Sequence, residues 1–247
     1  MEIETHLKSI EFYDKIREFS PITDYVLEVS KWNSCELCKI SSFCTKKVFG
    51  SGSLKPRLIV IGEAPGPDED EKGIPFIGKT GSFLRAVIEK TGITNEEIYF
   101  SNALACIPKD SENMPFRTPN YQEILNCNDR IKYIQREVLP YAEAVILTGK
   151  TAFAAWVSAE QNDVRIIDHV LSAKFTVKDN LGWHINLTSK KPAYFIYHPS
   201  YIERQGRSKI VTQPWIDDIK AVRDYLNNKT LKINTDRKIH DHGEKNA

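Results

Sequence analysis

The stretch Leu58-Ile59-Val60-Ile61-Gly62-Glu63-Ala64-Pro65-Gly66-Pro67-Asp68-Glu69-Asp70 decides the fold. Four branched apolar residues in succession specify a strand buried on both faces, as in a parallel sheet. Gly62 ends the strand, and Ala64, Gly66 and Pro67 let the backbone approach a ligand closely while setting a sharp turn. Glu63, Asp68, Glu69 and Asp70 therefore stand at the carboxyl end of a strand, where α/β proteins build their sites. A second turn, Gly73-Ile74-Pro75-Phe76-Ile77-Gly78, carries an aromatic residue that need not belong to the core. Carboxylates beside an exposable aromatic suit a flat polar ligand such as a base. The first turn is not a Walker loop, since no Gly-Lys-Ser/Thr follows, and it is not a GxGxxG dinucleotide fingerprint.

Working outward, Phe83, Leu84, Val87 and Ile88 share one helical face between Gly78 and the C-cap Gly92. Ile98-Tyr99-Phe100-Ser101 is the next strand, and the strand–loop–helix–strand unit implies a parallel sheet. Ala144-Val145-Ile146-Leu147-Thr148-Gly149 and Ala193-Tyr194-Phe195-Ile196-Tyr197 add a third and a fourth strand. The expected class is α/β with a central four-stranded parallel sheet. Further helices are expected over 150–158 and 213–228. Residues 4–32 have a helical pattern broken at Ser20-Pro21. Between Ala159 and Lys191 the pattern loosens: Val164–His169 reads as a strand or turn, and Phe175–Val177 as one arm of a hairpin with Trp183–Leu187. Apolar periodicity ends near Lys229. The expected organisation is one domain over 1–228, with a helical layer at 1–32 and a disordered tail at 229–247.

The chain has 247 residues, a net charge of +1, and 41% hydrophobic and 27% charged residues, an ordinary globular balance. Near-neutral charge neither announces nor excludes a nucleic-acid partner, which needs only a local basic face. No apolar run approaches the roughly 18 residues of a membrane span. Met1-Glu2-Ile3-Glu4-Thr5 lacks the basic-then-apolar order of a signal peptide, so a cytoplasmic location is expected. Five cysteines then argue for metal, catalysis or burial rather than disulfides.

Cys35-Glu36-Leu37-Cys38 brings two thiolates within reach of one centre, and alone it is compatible with zinc, iron–sulfur or a redox pair. Cys106 follows the second strand. Cys127 lies on a helix opened by Thr118-Pro119 and shares a face with Ile131, Ile134 and Val138, which also makes it a plain core thiol. Asn102, at a strand end, offers a donor and an acceptor to a pyrimidine edge, or else shapes a turn through its own backbone. His198, fixed by Pro199 at the end of the fourth strand, is a catalytic candidate. His169 and His184 have no motif around them and read as structural or surface residues. Tyr201, Ile202, Arg204, Arg207 and Lys209 supply two bulky wedge candidates and three cations, a mixture suited to entering a duplex while clamping phosphates. A solvated basic loop has the same composition.

Gly62-Glu63-Ala64-Pro65-Gly66 with its acidic run, followed by Gly73-Ile74-Pro75-Phe76-Ile77-Gly78-Lys79-Thr80-Gly81-Ser82-Phe83-Leu84, resembles the first motif of the family 4 uracil-DNA glycosylases, the iron–sulfur branch of that superfamily. Tyr197-His198-Pro199-Ser200-Tyr201 resembles its second motif, and four cysteines make a third match. The resemblance implies a three-layer α/β/α sandwich. It implies a monomeric, monofunctional glycosylase that flips uracil out of single- or double-stranded DNA and leaves an abasic site. Cys35, Cys38, Cys106 and Cys127 correspond to the ligands of a 4Fe–4S cluster, although spacing alone leaves structural zinc open; Cys44 is left over.

By the same resemblance Phe76 stacks on the base, Asn102 reads it, and Gly62 and Ala64 belong to the pocket. His198 stabilises the departing uracil anion, while Glu63, or failing it Glu69, supports the sugar cation and positions water. Ser200, Tyr201, Ile202, Arg204 and Arg207 fall to DNA binding. Only Arg117-Thr118-Pro119 remains of the family's common Asn-Arg-x-Pro string. The His of a related, covalently trapping branch has no counterpart at Met114-Pro115-Phe116-Arg117, so no covalent product is expected. The region 159–191 departs most. Two other readings therefore stay open: a glycosylase for another deaminated or modified base, and a non-catalytic iron–sulfur DNA-binding module. A hydrolase of free nucleotides fits less well, because the loop after His198 suits a polymer.

Overall fold

The computed structural model describes residues 21–185, 191–231 and 238–241. The chain divides into two compact units, Met1–Glu36 and Leu37–Ala247. In the first, helix α1 spans Pro21–Asn33, and Trp32 Nε1 donates to Glu28 Oε1 at 2.8 Å one turn away. The helix expected over 4–20 lies outside the described residues.

The second unit is built on a seven-stranded sheet: β1 (Ser51–Gly52), β2 (Leu58–Gly62), β3 (Ile98–Asn102), β4 (Ala144–Thr148), β5 (Gly182–Ile185), β6 (Pro192–Ile196) and β7 (Lys238–Asp241). Their spatial order is β1-β3-β2-β4-β6-β5-β7. The expected four parallel strands are its centre, β3-β2-β4-β6, and every residue in them is buried. The sheet is wider than expected. β1 and β5 pair antiparallel with β3 and β6, and β7, within the stretch expected to be disordered, runs parallel to β5. Exposed edges offer unpaired backbone groups to passing chain, and such strands need no buried apolar run to announce them.

Side chains alternate between the two faces of a strand. Leu58, Val60, Phe100, Ile146 and Ile196 meet α3 (Lys79–Lys90) through Leu84, Val87 and Ile88, and the last long helix (Lys209–Asn228) through Trp215, Ile219 and Val222. On the other face the helix Gly149–Gln161 packs across β2, β4 and β6, with Phe153 4.7 Å from Phe195. The result is three layers, each buried aliphatic or aromatic side chain contributing about 1.5–3 kcal/mol. No helix of the described residues is long and apolar enough to cross a membrane.

The remaining helices, in chain order, are α2 (Pro67–Lys72), α4 (Tyr121–Asn126), α5 (Asn128–Glu137), α6 (Gly149–Gln161), α7 (Arg165–Leu171), α8 (Val177–Asn180), α9 (Pro199–Arg204) and α10 (Lys209–Asn228). Three local expectations are corrected. Within Val164–His169, residues 165–169 belong to helix α7 and Val164 is its N-cap. The hairpin does not form, because Thr176 accepts from Asp179 N at 3.1 Å and caps α8, while β5 pairs with β6. The helix expected from Thr118-Pro119 opens on Asn120, whose Oδ1 accepts from Glu123 N at 3.0 Å while Glu123 Oε2 accepts from Asn120 N at 2.9 Å. It breaks at Cys127, where α5 begins.

Arg130 on α5 is fully buried. Its guanidinium donates to Phe49 O (2.8 Å), Ser101 Oγ (2.8 Å), Ala103 O (2.9 Å) and Asn102 O. The carbonyl dipoles replace the water that this charge lost. Arg130→Met should strand those acceptors at about 1–3 kcal/mol each, lowering the urea midpoint markedly. An unchanged midpoint would show that the guanidinium is not what holds the end of β3.

Candidate functional site

The carboxyl ends of β2, β3 and β6 open on a cleft of about 560 Å³, lined among others by Glu63, Ala64, Glu69, Phe76, Asn102, His198, Ser200 and Arg204. Eight of the residues singled out in the sequence thus meet on one surface. Gly62 lies beneath it: a Cβ there would come 2.2 Å from Asn102 Oδ1 and 2.7 Å from Phe76 Cζ. Only glycine lets those two side chains close over the end of β2.

Phe76 is 5% exposed and part of the core, which corrects the expectation that it need not be. Its backbone is left-handed, at φ 58°. Arg85 secures this turn by donating to Phe76 O and Pro75 O, both at 2.9 Å, with its guanidinium 3.7 Å from the centre of the Phe100 ring. The Phe76 ring lies tilted against Phe100 at 5.5 Å. It is a packed wall of the cleft.

The two candidate carboxylates have different tasks. Glu69 accepts from Gly66 N at 3.0 Å with Oε2 and from Gly78 N at 2.9 Å with Oε1, so it staples the two glycine turns together. Glu63 accepts from Thr151 Oγ1 at 2.8 Å. Burial pushes its carboxyl above the usual range, against the opposing pull of that hydrogen bond and of Arg204.

His198 caps α9. Its Nδ1 accepts from Ser200 N at 3.2 Å and lies 2.8 Å from Ser200 Oγ. A ring nitrogen that accepts from a backbone N–H carries no proton, so the neutral ring bears its hydrogen on Nε2. Burial, and then the Arg204 charge, push His198 down to about 4. Arg204 Nη1 donates to Ser200 Oγ at 3.1 Å, completing an Arg–Ser–His relay of orientation. The close approach of Gly149 (φ 82°), where a Cβ would stand 3.1 Å from His198 Cβ, backs the imidazole.

The loop after His198 departs from expectation. Ile202 is wholly buried in the core, and so is corrected as a DNA-facing wedge. Tyr201 stacks on Tyr197 at 4.5 Å. Arg207 is ion-paired with Glu203 and lies 4.2 Å over the Phe83 ring. Helix α9 and the turn after it bring these side chains back onto α3 and α10, which the loop composition did not foretell. Thr151, Arg85, Phe116 and Arg117 were not singled out for the site. Of these only Arg117 carried a signal, as part of the remnant Arg117-Thr118-Pro119 string; the role of Arg85 is legible only once the Phe76 turn has formed.

Cys35, Cys38 and Cys44 are partly exposed. Cys106 and Cys127 are buried, and Asn126 Nδ2 donates to Cys38 Sγ at 3.2 Å and to Leu37 O at 2.7 Å. A hydrogen bond between Cys44 and Cys106 pulls Cys44 down to about 7 and pushes Cys106 up, while Cys127 adds its charge to the second effect. Among the described residues no three His, Cys, Asp or Glu side chains form a group arranged to hold a metal ion. The donor set is nevertheless all sulfur, which fits zinc or iron–sulfur and excludes hard-cation sites.

Residues 49–220 match the family model of the uracil DNA glycosylase superfamily. A "Type-4 uracil-DNA glycosylase" of Thermotoga maritima is 27% identical over 78% of this chain and 89% of its own. That of Saccharolobus solfataricus is 26% identical over 81% and 85%, and that of Archaeoglobus fulgidus 34% identical over 47% and 53%. The match spans the cleft and both motifs that form it, and the relatives carry the type-4 name that the sequence resemblance anticipated. The chain belongs to the uracil DNA glycosylase superfamily.

Proposed function

We propose that this protein excises uracil from DNA by hydrolysing the N-glycosidic bond, leaving an abasic site for repair. The observation that carries the reading is one cleft shared by a half-buried Glu63 and a neutral His198 whose Nδ1 is engaged by Ser200. Loss of the base is the reaction these two groups fit. A base within a duplex is first flipped out, at a cost of a few kcal/mol. Phe76 stacks on it, Asn102 pairs with its edge, and Gly62 and Ala64 give it room. The bond between C1′ and N1 then breaks, its electron pair leaving with uracil. His198 Nε2–H donates to the uracil oxygen on which the charge grows, a stabilisation present chiefly in the transition state. Glu63 stabilises the sugar cation and takes a proton from the water whose oxygen bonds to C1′; the departed base ends protonated. Arg204 and Ser200 hold His198 and stand where a phosphate would pass. The same reading has the protein acting as a monomer in the cytoplasm.

Cys35, Cys38, Cys106 and Cys127 would hold a 4Fe–4S cluster, with structural zinc the alternative. Such a group supplies a tie between segments far apart in the sequence. Protein purified without oxygen should contain iron and sulfide in equal amounts, and Cys44→Ser should leave both unchanged. One zinc and no iron would replace the cluster with a zinc site, and loss of iron in Cys44→Ser would show that Cys44 is a ligand.

His198→Ala should slow single-turnover excision of uracil by about 100- to 1000-fold, the usual cost of one preorganised donor, with little change in affinity for the DNA. Normal cleavage, or loss of affinity alone, would remove His198 from the chemistry. Because Glu63 acts ionised and its proton affinity is raised, the rate should fall with decreasing pH above the ordinary carboxylate range. That acid limb should persist in His198→Ala and vanish from the residual rate of Glu63→Gln. A limb that survives in Glu63→Gln would assign it to another group.

A further inference from the structure

A flipped nucleotide leaves a gap that the duplex refills unless a side chain occupies it. Neither bulky residue after His198 is disposed to do so: Ile202 is wholly buried, and the Tyr201 ring is stacked on Tyr197 at 4.5 Å. The loop between Cys106 and Asn120 presents what they lack. Phe116 is 56% exposed and lines the rim of the cleft, and Met114, two residues before it, is 54% exposed.

The loop is braced. Arg117 N donates to Pro108 O at 2.9 Å, and the Arg117 guanidinium reaches Asp110 at 2.8 Å and both oxygens of Glu123 at 2.8 and 2.9 Å. Glu123 is itself buried and caps α4. Pro108, Pro115 and Pro119 restrict the backbone between these ties. An exposed aromatic on a stiff support costs little entropy to insert, and cationic Arg204 lines the same cleft for a flanking phosphate. Ile210 is more exposed, at 86%, but does not line the cleft.

We propose that Phe116, flanked by Met114, is the wedge that enters duplex DNA and fills the space of the flipped nucleotide. This rests on the glycosylase reading above. A single strand has no stack to refill, so the wedge matters only for duplex substrate.

The test is single-turnover excision by the parent, Phe116→Ala, Phe116→Trp and Ile210→Ala on one uracil oligonucleotide, single-stranded and paired opposite guanine. Phe116→Ala should slow excision from the duplex by about tenfold or more, the scale of one lost aromatic–base stack, and leave the single strand nearly unaffected. Phe116→Trp should restore the duplex rate, and Ile210→Ala should match the parent on both. Equal slowing on both forms would make Phe116 part of the base pocket, and no slowing on either would remove it from DNA handling; both overturn the wedge. A parent that excises from neither form overturns the glycosylase reading instead. The wedge is then decided by 2-aminopurine placed beside the uracil: binding of the parent, but not of Phe116→Ala, should raise its fluorescence, and equal signals would overturn it.

Discussion

The Arg130 guanidinium sits in the interior and donates to the carbonyls of Phe49, Asn102 and Ala103 and to the hydroxyl of Ser101. A buried charge is tolerated only where its hydrogen bonds are met, and here the requirement works in both directions. The chain leaving β3 must present its carbonyls inward to satisfy the arginine. That path carries Asn102 into the cleft and runs on to Cys106. The segment before β1 is held by the same group through Phe49. The geometry of the cleft and core electrostatics are thus one arrangement.

A second constraint acts between β2 and α3. Two glycine turns must lie side by side for Phe76 to close over Gly62, and Glu69 joins them through Gly66 N and Gly78 N. Arg85 then holds the carbonyls of Pro75 and Phe76 from below. The left-handed backbone of Phe76 is offset by these bonds and by its packing on Phe100. The acidic run therefore divides. Glu69 is consumed in building the turn, while Glu63, raised by burial, accepts from Thr151 in the cleft.

Arg204 is the charge that the cleft shares. It steadies Ser200, depresses His198, and partly offsets the burial of Glu63. A neutral imidazole and a carboxylate with raised proton affinity are complementary: the first can donate a hydrogen bond, the second can accept a proton. Arg207, by contrast, spends its charge on Glu203, so cations close together in the chain do not contribute alike to the field over the cleft.

The amino-acid sequence by itself determined the central sheet, because four apolar runs, branched in β2 and β4 and aromatic in β3 and β6, have no stable place except between two layers. It also marked Glu63, Asn102 and His198, since each stands at the carboxyl end of such a run, and topology brings those ends together. Tertiary structure decided everything that depends on which direction a side chain takes once the run is over. Composition could not divide Glu63 from Glu69, because the difference lies in two backbone N–H groups that meet only when the turns fold. Nor could it tell that Ile202 is core while Phe116 is exposed: both are large and apolar in polar surroundings, and a helix turned inward buries the one while a braced, proline-rich loop holds the other out. The edge strands β1 and β7, and the pairing of β5 with β6, were illegible for a related reason, since such pairing comes from backbone groups that every residue carries alike.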